Sequence, residues 1–255
     1  MTLLSRSSLA IAACTLLASG GTSHAGAQQP AAPRTTRSYV VVVRLKPEMV
    51  TEWMDLQRNE VIPAQKKAGV ASRTTLVTTV GNAFEYSTIT PFPAFAAMDS
   101  TAPLARALGA DGAAALNAKI RKCILTQTSY MVNRQDDLTV DPGTAPVWRI
   151  AVRKMQPGKN QEYLSWVKTD ILPGMQKAKA AGKIAGYTVN VRGVGAQVGE
   201  FTTITYYSKF ADLDGPNPLI ALLGQDAVTK INDRNQLLST ATQTIIRRRL
   251  PDLSF

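Results

Sequence analysis

Glu85-Tyr-Ser-Thr-Ile-Thr90 and Glu200-Phe-Thr-Thr-Ile-Thr205 are one phrase written twice, 115 residues apart. The match continues without a gap. Phe95-Ala96 pairs with Phe210-Ala211, Pro103-Leu104 with Pro218-Leu219, Gly109 with Gly224, and Asp137-Leu138 with Asp252-Leu253. Upstream the offset falls to 110, and Pro47, Trp53, Ile62-Pro63 and Lys67-Ala68 meet Pro157, Tyr163, Leu172-Pro173 and Lys177-Ala178. Order and spacing kept over that length signify a duplication.

Each copy reads the same way. A valine-rich strand at Tyr39 to Leu45 is matched by Val147 to Met155, and a helix follows each, with Pro63 and Pro173 set to kink it. Two further strands, a helical stretch and a last strand complete the order βαββαβ. The first repeat spans residues 38–138 and the second 146–255, with 139–145 as a linker carrying the turn Asp141-Pro142-Gly143. The fold class is therefore α+β, with two ferredoxin-like units. One unit leaves a sheet face bare. Two copies packed sheet to sheet bury both faces and make an intramolecular pseudo-dimeric α/β barrel, at roughly 25 cal/mol for each Å2 of apolar surface removed from water.

The first 27 residues stand apart from this pattern. Arg6, the apolar run Leu9 to Ala18 and Ala25-Gly26-Ala27 read as a secretory signal peptide, which predicts a periplasmic or secreted protein; residues 28–37 read as a disordered segment. No later stretch reaches the ~20 apolar residues of a membrane helix. The leader holds Cys14 and the one histidine, His24. After cleavage Cys123 stands alone among apolar neighbours and reads as a buried hydrophobe. No histidine is left for a metal site, a haem ligand or a Ser-His or Cys-His pair. The net charge of +11 includes Arg6. Such a basic surface suits an anionic small molecule, whereas no aromatic-basic motif points to nucleic acid. Arg247-Arg248-Arg249 reads as a flank of the last strand.

With the valine-rich first strand, the helix running to Ile62-Pro63-Ala-Gln-Lys-Lys-Ala-Gly69 and the Glu-aromatic-x-Thr-Ile-Thr strand followed by Phe-Ala, the chain resembles the dimeric α/β-barrel superfamily in a tandem-fused form. Its helices resemble the NIPSNAP-like and antibiotic-biosynthesis-monooxygenase-like branches. The resemblance implies a range that includes cofactor-free monooxygenases, isomerases, peroxidases and haem-degrading enzymes, and fold alone does not choose among them. The haem branches typically use histidine, from which the mature chain departs.

Several polar positions are candidates for chemistry. Glu60 and Asp170 occupy equivalent places before the helix kink, where partial burial would raise a carboxyl pKa and make a general base; the bland alternative is a solvated helix flank. Arg44 and Arg153 end the first strand of each copy, and Glu85 and Glu200 begin the third. Each Arg–Glu pair would face across the ladder, as a structural ion pair or, inside the barrel, as a ligand carboxylate site. Trp53 and Tyr163, with Trp148 and Trp166, would line an aromatic cavity or form core, and Tyr86, Tyr206 and Tyr207 are similar. No phosphate loop, dinucleotide fingerprint or nucleophile elbow occurs. Two functions fit. One is an exported small-molecule-binding or accessory protein, its ligand anionic or aromatic. The other is a cofactor-independent monooxygenase or isomerase of aromatic or polyketide-like compounds, needing no metal or cofactor.

Overall fold

A computed structural model describes residues 35–255; the leader at 1–27 and most of the 28–37 segment lie outside the described residues. Strand β1 (Thr35–Leu45) starts three residues before the expected repeat boundary. Thr35, Thr36 and Arg37 continue the ladder opposite Gln135, Arg134 and Asn133, so this end of the segment read as disordered is strand. Four consecutive valines, Val40 to Val43, supply its branched side chains and serve both faces, as a strand covered on both sides requires.

The other strands are β2 (Thr74–Val80), β3 (Glu85–Pro91), β4 (Ile124–Gln135), β5 (Val147–Met155), β6 (Gly186–Arg192), β7 (Glu200–Tyr207) and β8 (Ser239–Arg249). All eight close into one antiparallel barrel in the order β1-β3-β2-β8-β5-β7-β6-β4. The first four strands form a sheet ordered β4-β1-β3-β2, and the last four a sheet ordered β8-β5-β7-β6. Two seams join them. At one, Thr78 of β2 faces Arg247 of β8; at the other, Arg192 of β6 faces Val132 of β4. The sheets thus meet edge to edge by hydrogen bonding as well as across their inner faces.

Helices cover the outside. Helix α1 (residues 50–67) and helix α3 (residues 160–180) each contain a π-helical turn, Gln57–Val61 and Val167–Ile171, ending two residues before Pro63 and Pro173. A proline has no N–H to donate and its ring crowds the carbonyl four residues back. The widened turn takes up that mismatch, where a plain kink was expected. Helix α2 (Pro103–Cys123) breaks at Gly109, with φ 75°, and Gly224, with φ 82°, separates α4 (Pro218–Leu223) from α5 (Gln225–Leu238) at the equivalent place. A side chain at either position would be strained.

Two cores lie between the sheet and its helices. Leu45, Trp53, Leu56, Ile62, Leu116 and Cys123 belong to the first, and Met155, Tyr163, Val167, Ile171, Phe201 and Leu238 to the second. Cys123 is fully buried, and burial pushes its thiol pKa up, as suits an inert hydrophobe. The tails after β4 and β8 cross over. Leu138, 4% exposed, packs in the second core, and Leu253, fully buried, packs in the first. Thr75 holds the C-terminal tail by donating its hydroxyl to the Leu253 carbonyl at 2.7 Å, and Arg58 pairs with Asp252 at 2.7 Å. No described helix is long and apolar enough to cross a membrane.

Leu253→Ala should cost about 2–5 kcal/mol, and Leu138→Ala a similar amount, since each leaves a cavity in a core built by the other half. Leu125→Ala, at a position 52% exposed, should stay within about 0.5 kcal/mol. Urea denaturation of the three variants checks the exchange.

Candidate functional site

Eight strands enclose a barrel just wide enough for side chains to fill or for one small ligand. Here the interior keeps a partly open cavity of about 340 Å3, near the lower end of small-molecule pockets. The inward-facing residues of adjacent strands give it two unlike sides. On β5, β7 and β8, Trp148, Ile150, Ile204, Tyr206 and Ile245 make an apolar and aromatic wall. On β1, β4 and β6, Thr36, Ser38, Tyr130, Arg134, Asn190 and Arg192 supply most of the polar groups, with Val40 and Val132 between them. Arg247 projects inward from β8.

The aromatic wall is fixed by its own contacts. Trp148 meets Tyr206 edge-on at 4.8 Å and donates its indole N–H to the Ala145 carbonyl at 2.9 Å. The Tyr206 hydroxyl lies 3.1 Å from Thr188 Oγ1, which also accepts from Asn190 at 3.2 Å. Burial pushes the Tyr206 pKa up to about 12, so this phenol stays neutral near neutral pH and serves as a donor or acceptor of hydrogen bonds, not as a base.

Among the described residues three arginines line the cavity and no carboxylate does. Each is held from behind by an acid: Arg134 by Asp136 at 2.8 Å, Arg192 by Glu200 at 3.0 Å, and Arg247 by Glu85 at 2.5 Å. The cavity therefore presents guanidinium edges while the surrounding charge is balanced. Among the described residues no group of His, Cys, Asp and Glu could hold a metal ion.

The residues singled out from the sequence divide sharply. Glu85 and Glu200 do lie at the barrel interior, but their partners differ from those expected. Arg44 stands opposite Glu85 in the ladder and is exposed, while the Glu85 carboxylate turns to Arg247 across the β2–β8 seam. In the second half Lys154, not Arg153, faces Glu200. A slip of one residue in a strand reverses the face. Arg153 points to the helix side, where its charge acts on Tyr163 and Tyr187. Trp53 and Tyr163 are fully packed in the two outer cores, against Tyr86 at 4.9 Å and Phe201 at 5.6 Å, and line none of the cavities described here.

The carboxylates offered as bases are remote from the barrel. Glu60 pairs with Lys119 at 2.9 Å, 40% exposed, on the outer face of α1. Asp170 is exposed, accepts from the Thr169 hydroxyl, and lines an outer groove of about 630 Å3 between α3 and α5 together with Trp166, Lys230 and Arg234. Proximity to a kink did not bury them, because Gln57 and Val61, or Val167 and Ile171, take the inward side of each π-helical turn. A third cavity, about 1040 Å3, lies beside the start of β1 and shares Thr36, Thr90 and Pro91 with the barrel interior.

Arg192, Arg247 and Tyr130 were missed as site residues. The signal was alternation: Ile245 and Arg247 fall on one face of β8, and Tyr130, Val132 and Arg134 on one face of β4. Arg247 does not flank the strand end; it is 6% exposed within it.

No protein-family model matches the sequence, and no curated protein matches it. Solved structures match by shape. A candidate monooxygenase from Lactobacillus acidophilus NCFM aligns with TM-score 0.53 and 11% identity, over 87% of this chain and 96% of that one. A candidate monooxygenase from Fusobacterium nucleatum subsp. nucleatum ATCC 25586 gives 0.54 and 8%, over 85% and 93%. An anthrone oxidase-like protein gives 0.52 and 10%, over 85% and 92%. These structures share the fold, an eight-stranded antiparallel barrel clad in helices. At such identities the likeness is one of fold alone, and the chemistry follows from the cavity.

Glu85→Ala should destabilise the barrel by about 3–5 kcal/mol, because it strands a buried guanidinium. Glu60→Gln should change stability by less than about 1 kcal/mol, as an exposed pair does. Chemical denaturation of both variants separates the interior acid from the surface one.

Proposed function

We propose that the barrel interior takes up a small aromatic, polyketide-like molecule as its anion and that the chain oxidises it with molecular oxygen, without a cofactor. The observation that carries this reading is the two-sided cavity, with Trp148 and Tyr206 on one wall and guanidinium and hydroxyl donors on the other. A flat ring fits the apolar wall, and an enolate or phenolate oxygen fits the donors. The cavity beside β1, which shares three lining residues with the interior, is the approach.

For an anthrone-type methylene the balance is simple. The substrate and one O2 give the ketone and one water: the carbon loses two hydrogens, one oxygen atom becomes the carbonyl, and the substrate itself supplies the electrons. This chain's residues contribute by favouring the anion. Guanidinium groups beside the oxygen stabilise the deprotonated, electron-rich form, and the proton leaves to water. Among the matched structures, two candidate monooxygenases and an anthrone oxidase-like protein support that choice of chemistry, and they favour the antibiotic-biosynthesis-monooxygenase-like branch over the NIPSNAP-like one.

A second reading, binding without turnover, is favoured by the lack of any carboxylate in the cavity lining. Oxygen uptake with anthrone decides between them. Oxidation predicts one O2 consumed per ketone formed, without added flavin or metal, and a loss of about tenfold or more in kcat/KM for Trp148→Ala. Saturable quenching of tryptophan fluorescence by anthrone without oxygen uptake would leave binding alone.

Two further parts of the reading concern the whole chain. We take it to be a duplicated and fused pseudo-dimer, a view supported by the twice-repeated strand order and the two matching seams. We take residues 1–27 to direct export, so that the protein recovered from the producing cells' envelope or medium should begin at Gln28, as intact-mass measurement would reveal.

A further inference from the structure

One arginine stands at each seam, Arg247 on β8 opposite Thr78 and Arg192 on β6 opposite Val132, and their hydrogen-bond sets differ. Arg247 uses all three nitrogens. Nε donates to Thr78 Oγ1 at 3.2 Å, Nη1 to Ser87 Oγ at 2.8 Å, and Nη2 to Glu85 at 2.5 Å. Its side chain is 7% exposed. Arg192 donates from Nη1 to Glu200 at 3.0 Å and from Nη2 to the Tyr130 hydroxyl at 2.9 Å, and its Nε is buried with no acceptor among the described residues. The Tyr130 ring lies 4.2 Å from the guanidinium carbon, and the side chain keeps 18% exposure. Both residues line the same cavity.

We infer that Arg192 is the anchor for the ligand's anionic oxygen, and that Arg247 is a structural tie across the other seam. This rests on the reading of the barrel interior as the binding site. Buried donors in a native fold are almost always paired, so an arginine lacking an acceptor on one edge has a set that something else completes. Arginine recognises a carboxylate or enolate through a fork of two adjacent N–H groups. The Nε edge of Arg192, left without an acceptor, is the one such an oxygen would complete. Arg247 has no comparable edge to give, since each of its nitrogens is already committed to the β2 and β3 side chains.

The consequence is a selectivity rule: among flat aromatic molecules of one size, those with an oxyanion at the ring edge are preferred, and Arg192 sets the preference. Two probes of nearly equal shape test it, 2-naphthoate and the neutral 2-naphthamide, titrated calorimetrically into the full-length protein as purified. The unaltered protein should bind the naphthoate about tenfold or more tightly than the amide. Arg192→Met should abolish that preference while leaving amide affinity within about threefold. Glu200→Gln, which relieves Arg192 of its acid, should tighten naphthoate several-fold and leave the amide unchanged, a gain that a merely structural role for Arg192 would not produce. It also keeps the test decisive if Arg192→Met does not fold. Arg247→Lys should lower thermal stability with the preference intact.

The anchor is overturned if folded Arg192→Met keeps its preference, if Glu200→Gln leaves naphthoate affinity unchanged, or if Arg247→Lys removes the preference. In each of those cases the cavity still binds, and the proposed site stands. If neither probe binds the unaltered protein, the site itself falls, and the anchor with it.

Discussion

A four-stranded sheet ordered β4-β1-β3-β2 has two edges with unpaired backbone groups and one face without helices, and nothing within the first half can satisfy either. Each bare edge is a row of N–H and C=O groups that would pair with any chain it met. The second half, ordered β8-β5-β7-β6, has the same deficit. Joining β2 to β8 and β4 to β6 removes all four edges at once and turns two bare faces into one interior. The exchanged tails follow from this closure. Once the last strand of one half lies beside the other half, the residues after it emerge over the other half's helices, and Leu138 and Leu253 fill the cores they reach.

Closure also explains why charge sits inside. The seams are where strands from different halves meet, and each carries an arginine whose acid stands at the start of a neighbouring third strand, Glu85 or Glu200. Replacing such pairs with apolar residues is often neutral or stabilising, so their presence is weak evidence for stability. They do supply orientation: tied to Glu200 on one edge, Arg192 keeps its Nε edge without an acceptor, whereas Arg247 is committed on all three nitrogens.

The order of elements and the closed barrel were legible because they depend on features that sequence carries directly: matched phrases at constant spacing, valine runs, and prolines at equivalent turns. The burial of Cys123 was legible for the same reason. The site was less so. Glu60 and Asp170 were chosen for their place along the chain, but which side of a π-helical turn faces water is set by tertiary packing. Arg153 was matched to Arg44 by residue type, whereas the register matches Arg44 to Lys154, and one residue is the difference between the interior and the helix side. Arg192 and Arg247 are paired only through a seam, a contact between strands far apart in sequence, which no spacing rule anticipates.

A barrel whose two halves come from one chain permits something that two identical subunits could not. A cavity on the axis of a symmetric dimer must show the same residues to both sides. Here the register places Thr78 where the other half has Arg192, Val132 where it has Arg247, and Ser38 where it has Trp148. On the proposed duplication, these positions began alike and then diverged within one chain. The result is an interior with an aromatic wall on one side and hydrogen-bond donors on the other, so that a planar molecule with one polar edge has a single favoured orientation. A symmetric barrel would offer two equivalent poses and present its reactive carbon to either wall. Loss of symmetry therefore does for positioning what a dedicated active-site loop does in other folds, and it does so on strands, which hold their side chains more rigidly than loops.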